Sequence, residues 1–143
     1  MRARHRIRAA VNLINLSTPL GLLIALIGAR RVTRGPRGLL YAYGYRLPVP
    51  PAPAFTVGNV ILLRRRDALR TDRHPLHVHE ERHTTQYAWS LGPAMIVFYV
   101  LASAASWALC GCWACYNPYE RLADLADGGY DRHYLRFRAG PRA

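Results

Sequence analysis

The sequence predicts a small α+β protein: a β-hairpin, a helix bearing catalytic groups, an apolar helical hairpin and a short C-terminal helix carrying a ligand, the whole membrane-associated. Three observations predict it. Two segments, 39–47 and 55–63, are rich in aromatic, β-branched and aliphatic residues and are separated by a Pro-rich stretch. Residues 76–89 read as one helix and contain His79-Glu80-Glu81-Arg82-His83. Residues 94–114 form an apolar run long enough to cross a bilayer. The 143 residues suffice for one domain with a modest core.

The chain opens with a basic arm holding Arg2, Arg4, Arg6 and Arg8. Residues 11–27 are apolar but interrupted by Asn12, Asn15, Ser17, Thr18 and Pro19, which suits an anchor or an interfacial helix better than a simple span. No convincing cleavage site follows, so an uncleaved anchor is expected. Residues 30–38 are a basic turn with Gly and Pro. The first strand, 39–47, alternates Tyr41, Tyr43 and Tyr45, which places their rings on one face of a sheet. The second strand, 55–63, has Gly58-Asn59 as a bulge, and the two pair as a hairpin with a long loop. Residues 64–73 read as a loop or short helical turn. Pro75 suits the first turn of the motif helix, and Gly92-Pro93 ends it. After the apolar run, Asn117-Pro118 starts a short helix over 120–126, which Asp127-Gly128-Gly129 ends. Residues 131–143 are a basic tail.

The formal net charge is +12, and all 20 basic residues are Arg. They cluster beside apolar segments, an arrangement that suits anionic headgroups and argues against nucleic acid as the partner. Cys110, Cys112 and Cys115 are an odd number, which gives no closed disulfide framework; they read as buried thiols, with soft-metal binding the alternative. Trp89, Trp107 and Trp113 read equally as membrane-interface or core residues.

Residues four apart share a helix face, so His79 and His83 can meet one divalent ion, with Glu80 beside them as general base. Zinc needs a third protein ligand and an open position for water. Glu120 is the best candidate, because Glu81 points away from the His pair. Asp124, one turn on, can accept the free N–H of a ligating His. Gln86 shares the face of His83 and can contact substrate or a ligand. His74 and His77 form an auxiliary metal pair or, more simply, a solvated approach to the helix.

H-E-x-x-H followed by E-x-x-x-D (Glu120 to Asp124) resembles the gluzincin group of zinc metallopeptidases. The resemblance implies one Zn²⁺ held by His79, His83 and Glu120, Glu80 as general base and Asp124 supporting a histidine. Across 55–127, with His83-Thr84-Thr85-Gln86 and Leu91-Gly92-Pro93, the chain is also similar to small uncharacterised bacterial H-E-x-x-H-x-x-Q proteins. It departs from the gluzincin pattern before the third ligand, where Tyr119 replaces the usual Asn. The oxyanion donor is not marked by a motif; Tyr116, Tyr119 and His133 are candidates. The resulting division is an arm and anchor (1–30), a zincin-like domain (31–130) and the tail.

The expected activity is hydrolysis of a peptide or protein substrate by a zinc-activated water, at the bacterial cytoplasmic membrane. The alternative is a non-enzymatic integral membrane protein with an incidental motif. Geometry separates the two. His83 and Glu120 lie 37 positions apart, and a straight helix through the apolar run spans about 30 Å. The zinc reading therefore requires the run to fold back, and the expected bend is at 103–106.

Overall fold

The computed structural model describes residues 2–64 and 74–136. Among them the chain is α+β, with helices α1 (Ala3–Ile14) and α2 (Ser17–Gly28), strands β1 (Arg31–Arg34), β2 (Leu40–Tyr43), β3 (Ala54–Val57) and β4 (Val60–Leu63), then helices α3 (Pro75–Trp89), α4 (Ala94–Cys110) and α5 (Pro118–Ala123). The segments read as a loop at 64–73 and as a tail at 131–143 fall outside the described residues beyond Arg64 and Arg136.

The strands form one mixed sheet in the order β1-β2-β4-β3. β4 is its fully buried inner strand, and its unbroken Val60-Ile61-Leu62-Leu63 run follows from being covered on both faces. Val60 and Leu62 join Ala42 and Val57 in one cluster, while Ile61 and Leu63 join Leu39 and Ala54 in another.

Two strand expectations are corrected. Residues 55–63 are a tight hairpin, β3 and β4, turning at Gly58-Asn59. Gly58 has φ +62, and a Cβ there would lie 2.4 Å from the Thr18 backbone nitrogen, so only glycine fits. The 39–47 segment pairs with β4 in parallel, so the long-loop hairpin does not form. Tyr41 and Tyr43 belong to one cluster, but β2 ends at Tyr43, the alternation lapses, and Tyr45 enters the other.

The basic arm is helical. α1 meets α2 at a 73° bend, and the polar residues that interrupt the apolar segment point inward. Asn12 Nδ2 donates to Asn59 Oδ1 (2.9 Å) and to the Thr84 carbonyl (2.7 Å), and Thr18 Oγ1 accepts from the Asn59 N–H. Ala25 of α2 shares its cluster with Val57, Val60 and Tyr87. Arg8 is buried and pairs with Glu81 of α3 (3.1 Å).

Gly92-Pro93 ends α3 as expected, and α4 departs at 118°. The predicted bend at 103–106 is absent: α4 is unbroken for 17 residues, about 25 Å. The fold-back comes after Cys110. Residues 111–117 return along α4, tied by Ser106 Oγ accepting from the Tyr116 N–H (2.8 Å) and Asn117 Nδ2 donating to Ser103 Oγ (2.8 Å). The apolar helical hairpin is thus one helix with a non-helical return. Its serines anchor the returning limb instead of bending the helix.

α2 and α4 share an unusual side-chain distribution. The inward positions of α2 are Ser17, Thr18, Gly21, Ala25 and Gly28, and its outward ones include Leu22, Leu23, Leu26 and Ile27. α4 buries Met95, Ser103, Ser106 and Cys110 and exposes Val97, Phe98, Val100, Leu101 and Trp107. No single described helix is long and apolar enough to cross a membrane.

Candidate metal centre

α3 begins with the His74 side chain accepting from the Leu76 N–H and Pro75 in the first turn. One face of α3 then carries His79 and His83, both buried. Asn117 caps α5 by accepting from the Tyr119 N–H (2.9 Å), which sets Glu120 in the first turn of that helix. The returning limb brings Glu120 against the histidine pair, as the metal reading requires.

The spacing is that of a coordination shell. Nε2 of His79 and Nε2 of His83 are 3.1 Å apart. Glu120 Oε2 lies 3.1 Å from His79 Nε2, and Oε1 lies 3.6 Å from His83 Nε2. Bonds of about 2.0–2.1 Å in a tetrahedral shell separate neighbouring ligand atoms by about 3.3–3.4 Å.

The hydrogen bonds around the rings settle where the lone pairs point. His79 Nδ1 faces the Ala123 (3.1 Å) and Asp124 (2.9 Å) carbonyls, which only accept, so its proton sits there. Gln86 Nε2 donates to the Tyr119 carbonyl (2.8 Å), which leaves Oε1 to accept from His83 Nδ1 (2.8 Å). Both Nε2 lone pairs therefore aim at the same point as Glu120. Glu120 Oε2 is buried without a hydrogen-bond donor among the described residues, 3.1 Å from His79 Nε2. Three lone-pair donors this close need a cation or a proton between them. The proton alternative is visible in His79: burial pushes its pKa down, but the hydrogen bond and charge of Glu120 outweigh this and raise it. Burial likewise pushes Glu120 up, and His79, His83 and Tyr99 bring it below its ordinary value. His79, His83 and Glu120 thus fit a zinc ion by spacing, donor type and ring orientation.

One role differs from the sequence reading. Asp124 supports His79 through its main-chain carbonyl, while its carboxylate accepts from the Ala126 N–H (3.1 Å). Gln86 contacts the candidate ligand His83, one of the two contacts expected of it, and ties α3 to α5. Gly128 packs on the same ring; a Cβ there would lie 2.6 Å from His79 Cε1.

Glu80 is buried beside the ligands, and Thr56 Oγ1 reaches its Oε2 (2.7 Å). Burial pushes its carboxyl above the ordinary value, although the charge of His83 and the Thr56 hydrogen bond oppose this. A cavity of about 460 Å³ opens onto His79, Glu80, His83 and Glu120, walled by α2, β3, the 45–52 loop and α4.

Tyr116, Tyr119 and His133 do not line this cavity; Tyr99 and Tyr130 do. The Tyr99 hydroxyl donates to Glu120 Oε1. The Tyr130 ring sits 6.2 Å from that of His79, and burial raises its pKa, keeping the phenol protonated. Neither tyrosine belongs to a motif. The available signals were the single tyrosine inside an apolar run and an aromatic directly after Gly128-Gly129.

His74 and His77 form no metal pair: His74 caps α3, and His77 is buried against the Tyr41 hydroxyl (3.1 Å). Cys112, Cys115 and His133 are also gathered, but Cys112 and Cys115 are joined in a disulfide, and Cys110 is a buried thiol. Trp89, Trp107 and Trp113 are all exposed, so none is a core residue.

Comparison with known proteins finds no matching family model, no matching curated protein and no matching solved structure.

Proposed function

We propose that the protein is a zinc-dependent hydrolase, a small metallopeptidase acting at a membrane. The observation that carries this is the meeting of the Nε2 lone pairs of His79 and His83 with a Glu120 oxygen, beside a buried carboxylate in one cavity. A zinc ion held there supplies Lewis acidity, lowering the pKa of water and polarising a carbonyl.

Glu80 is the general base. With its carboxyl raised by burial and one oxygen held by Thr56, it takes the proton of the attacking water and passes it to the leaving amine nitrogen. The water oxygen bonds to the carbonyl carbon, the C–N bond breaks, and its electron pair stays on nitrogen. The Tyr130 phenol donates to the developing oxyanion. β3 is an edge strand lining the cavity, so an extended peptide aligns along it.

The test is Glu80→Gln. Turnover of a peptide library falls by about 10²–10⁴, while zinc, measured by elemental analysis, stays stoichiometric. A wild-type protein purified without tightly held metal, or a variant as active as wild type, would overturn the proposal and favour a non-enzymatic membrane protein.

A further inference from the structure

Helices α2 and α4 present most of their large apolar side chains outward and, Met95 aside, bury small or polar residues, the reverse of a water-facing helix. Small residues at the protein-facing side are the pattern of helices whose outer face meets lipid. These two helices flank the metal cavity. Ile27, Leu47, Val49 and Val100 line that cavity and are also 68%, 39%, 70% and 57% exposed, so its mouth is rimmed with apolar surface.

Arginines sit beside this rim. Arg30, Arg31 and Arg46 are exposed. The Arg46 N–H donates to the Gly28 carbonyl (3.0 Å) and the Arg30 N–H to the Tyr43 carbonyl (2.9 Å), which seats them next to Ile27 and Leu47. Residues 1–66 contain twelve Arg and no carboxylate, the first being Asp67. A second copy docked face to face would set these arginines against each other. Anionic headgroups around an apolar layer complement both the rim and the greasy faces.

We propose that the α2–α4 surface seats on an anionic bilayer with the cavity mouth against the acyl layer, so that the scissile amide arrives on an apolar peptide segment held in that bilayer. The substrate clause rests on the hydrolase reading; the docking does not.

The test is flotation of the full chain with vesicles of phosphatidylcholine, alone or mixed with phosphatidylglycerol. Wild type binds the mixed vesicles at least about tenfold more tightly, and high salt removes the difference. Leu26→Asp and Leu101→Asp lie on the outer faces and outside the cavity (80% and 62% exposed). Each weakens flotation at least about tenfold while zinc content stays at the wild-type level, which shows the fold intact. His79→Ala loses zinc but floats like wild type, which separates docking from catalysis. Wild type left in solution with both vesicle types would overturn the docking. So would aspartate variants that float normally, or a wild-type dimer that these variants dissolve without vesicle binding. For the substrate clause, an apolar peptide anchored in vesicles is cleaved at least about tenfold faster than its soluble counterpart at equal bulk concentration. Equal rates overturn that clause alone.

Discussion

Glu80 and Glu81 are neighbours in sequence and opposite in circumstance. Glu81 meets Arg8 of α1 (3.1 Å) and Arg37 (2.8 Å). Burial pushes its carboxyl up, but the two guanidinium groups outweigh this and hold it below its ordinary value. On that face of α3 the chain supplies its own cations, and the result is a joint between elements. On the other face Glu80 is raised by burial, and Glu120 and two imidazoles aim lone pairs at one point. The chain supplies lone-pair donors there, and no arginine among the described residues lines the metal cavity. A buried charge cluster whose protein partners are complete is architecture; one that lacks only a cation is a site.

The sharpest way to break this contrast is His79→Ala. It removes one of three donors, and stoichiometric zinc and turnover are both expected to disappear, as read by elemental analysis and peptide cleavage. Tyr130→Phe leaves every ligand in place. Its turnover falls by about 10²-fold with zinc unchanged, whereas an unchanged rate removes Tyr130 from the mechanism.

Gln86→Ala frees His83 to rotate. Zinc affinity in chelator competition drops by about 10–100-fold. Glu81→Gln acts on the other face only. Zinc affinity holds, but denaturant melts show a loss of about 1–3 kcal/mol, because Arg8 remains buried with its charge uncompensated. The sign with pH follows from the lowered carboxyl. The Glu81 pair stabilises the fold above the ordinary value of 4.5 and is lost as pH falls through the depressed folded value, so the Glu81→Gln deficit shrinks in acid.

The three residues that the structure gathers, His79, His83 and Glu120, were legible from a four-residue helical spacing, from Glu81 facing away from the pair and from the E-x-x-x-D pattern downstream. The support for His79 was not. The carbonyl of Asp124 does what its carboxylate was expected to do, and a main-chain oxygen leaves no residue-type signature. The strands misled for a related reason. β-Branched and aliphatic content identified β-structure in 55–63, but the tight turn at Gly58 packs directly on the N-terminus of α2, and the parallel pairing of β2 with β4 is a long-range choice. The serines of α4 read as weak points because their partners, Tyr116 and Asn117, lie on a returning limb that only the folded chain defines.

That limb also sets an order of events. A nascent chain that has emerged only through α4 holds both imidazoles but cannot yet grip an ion tightly. On the proposed reading, tight capture would wait until residue 120 has doubled back, so that loading the centre and latching the returning limb would be one event. On that same reading, an ion held by His79, His83 and Glu120 would clasp α3 to α5 as well as serve the chemistry.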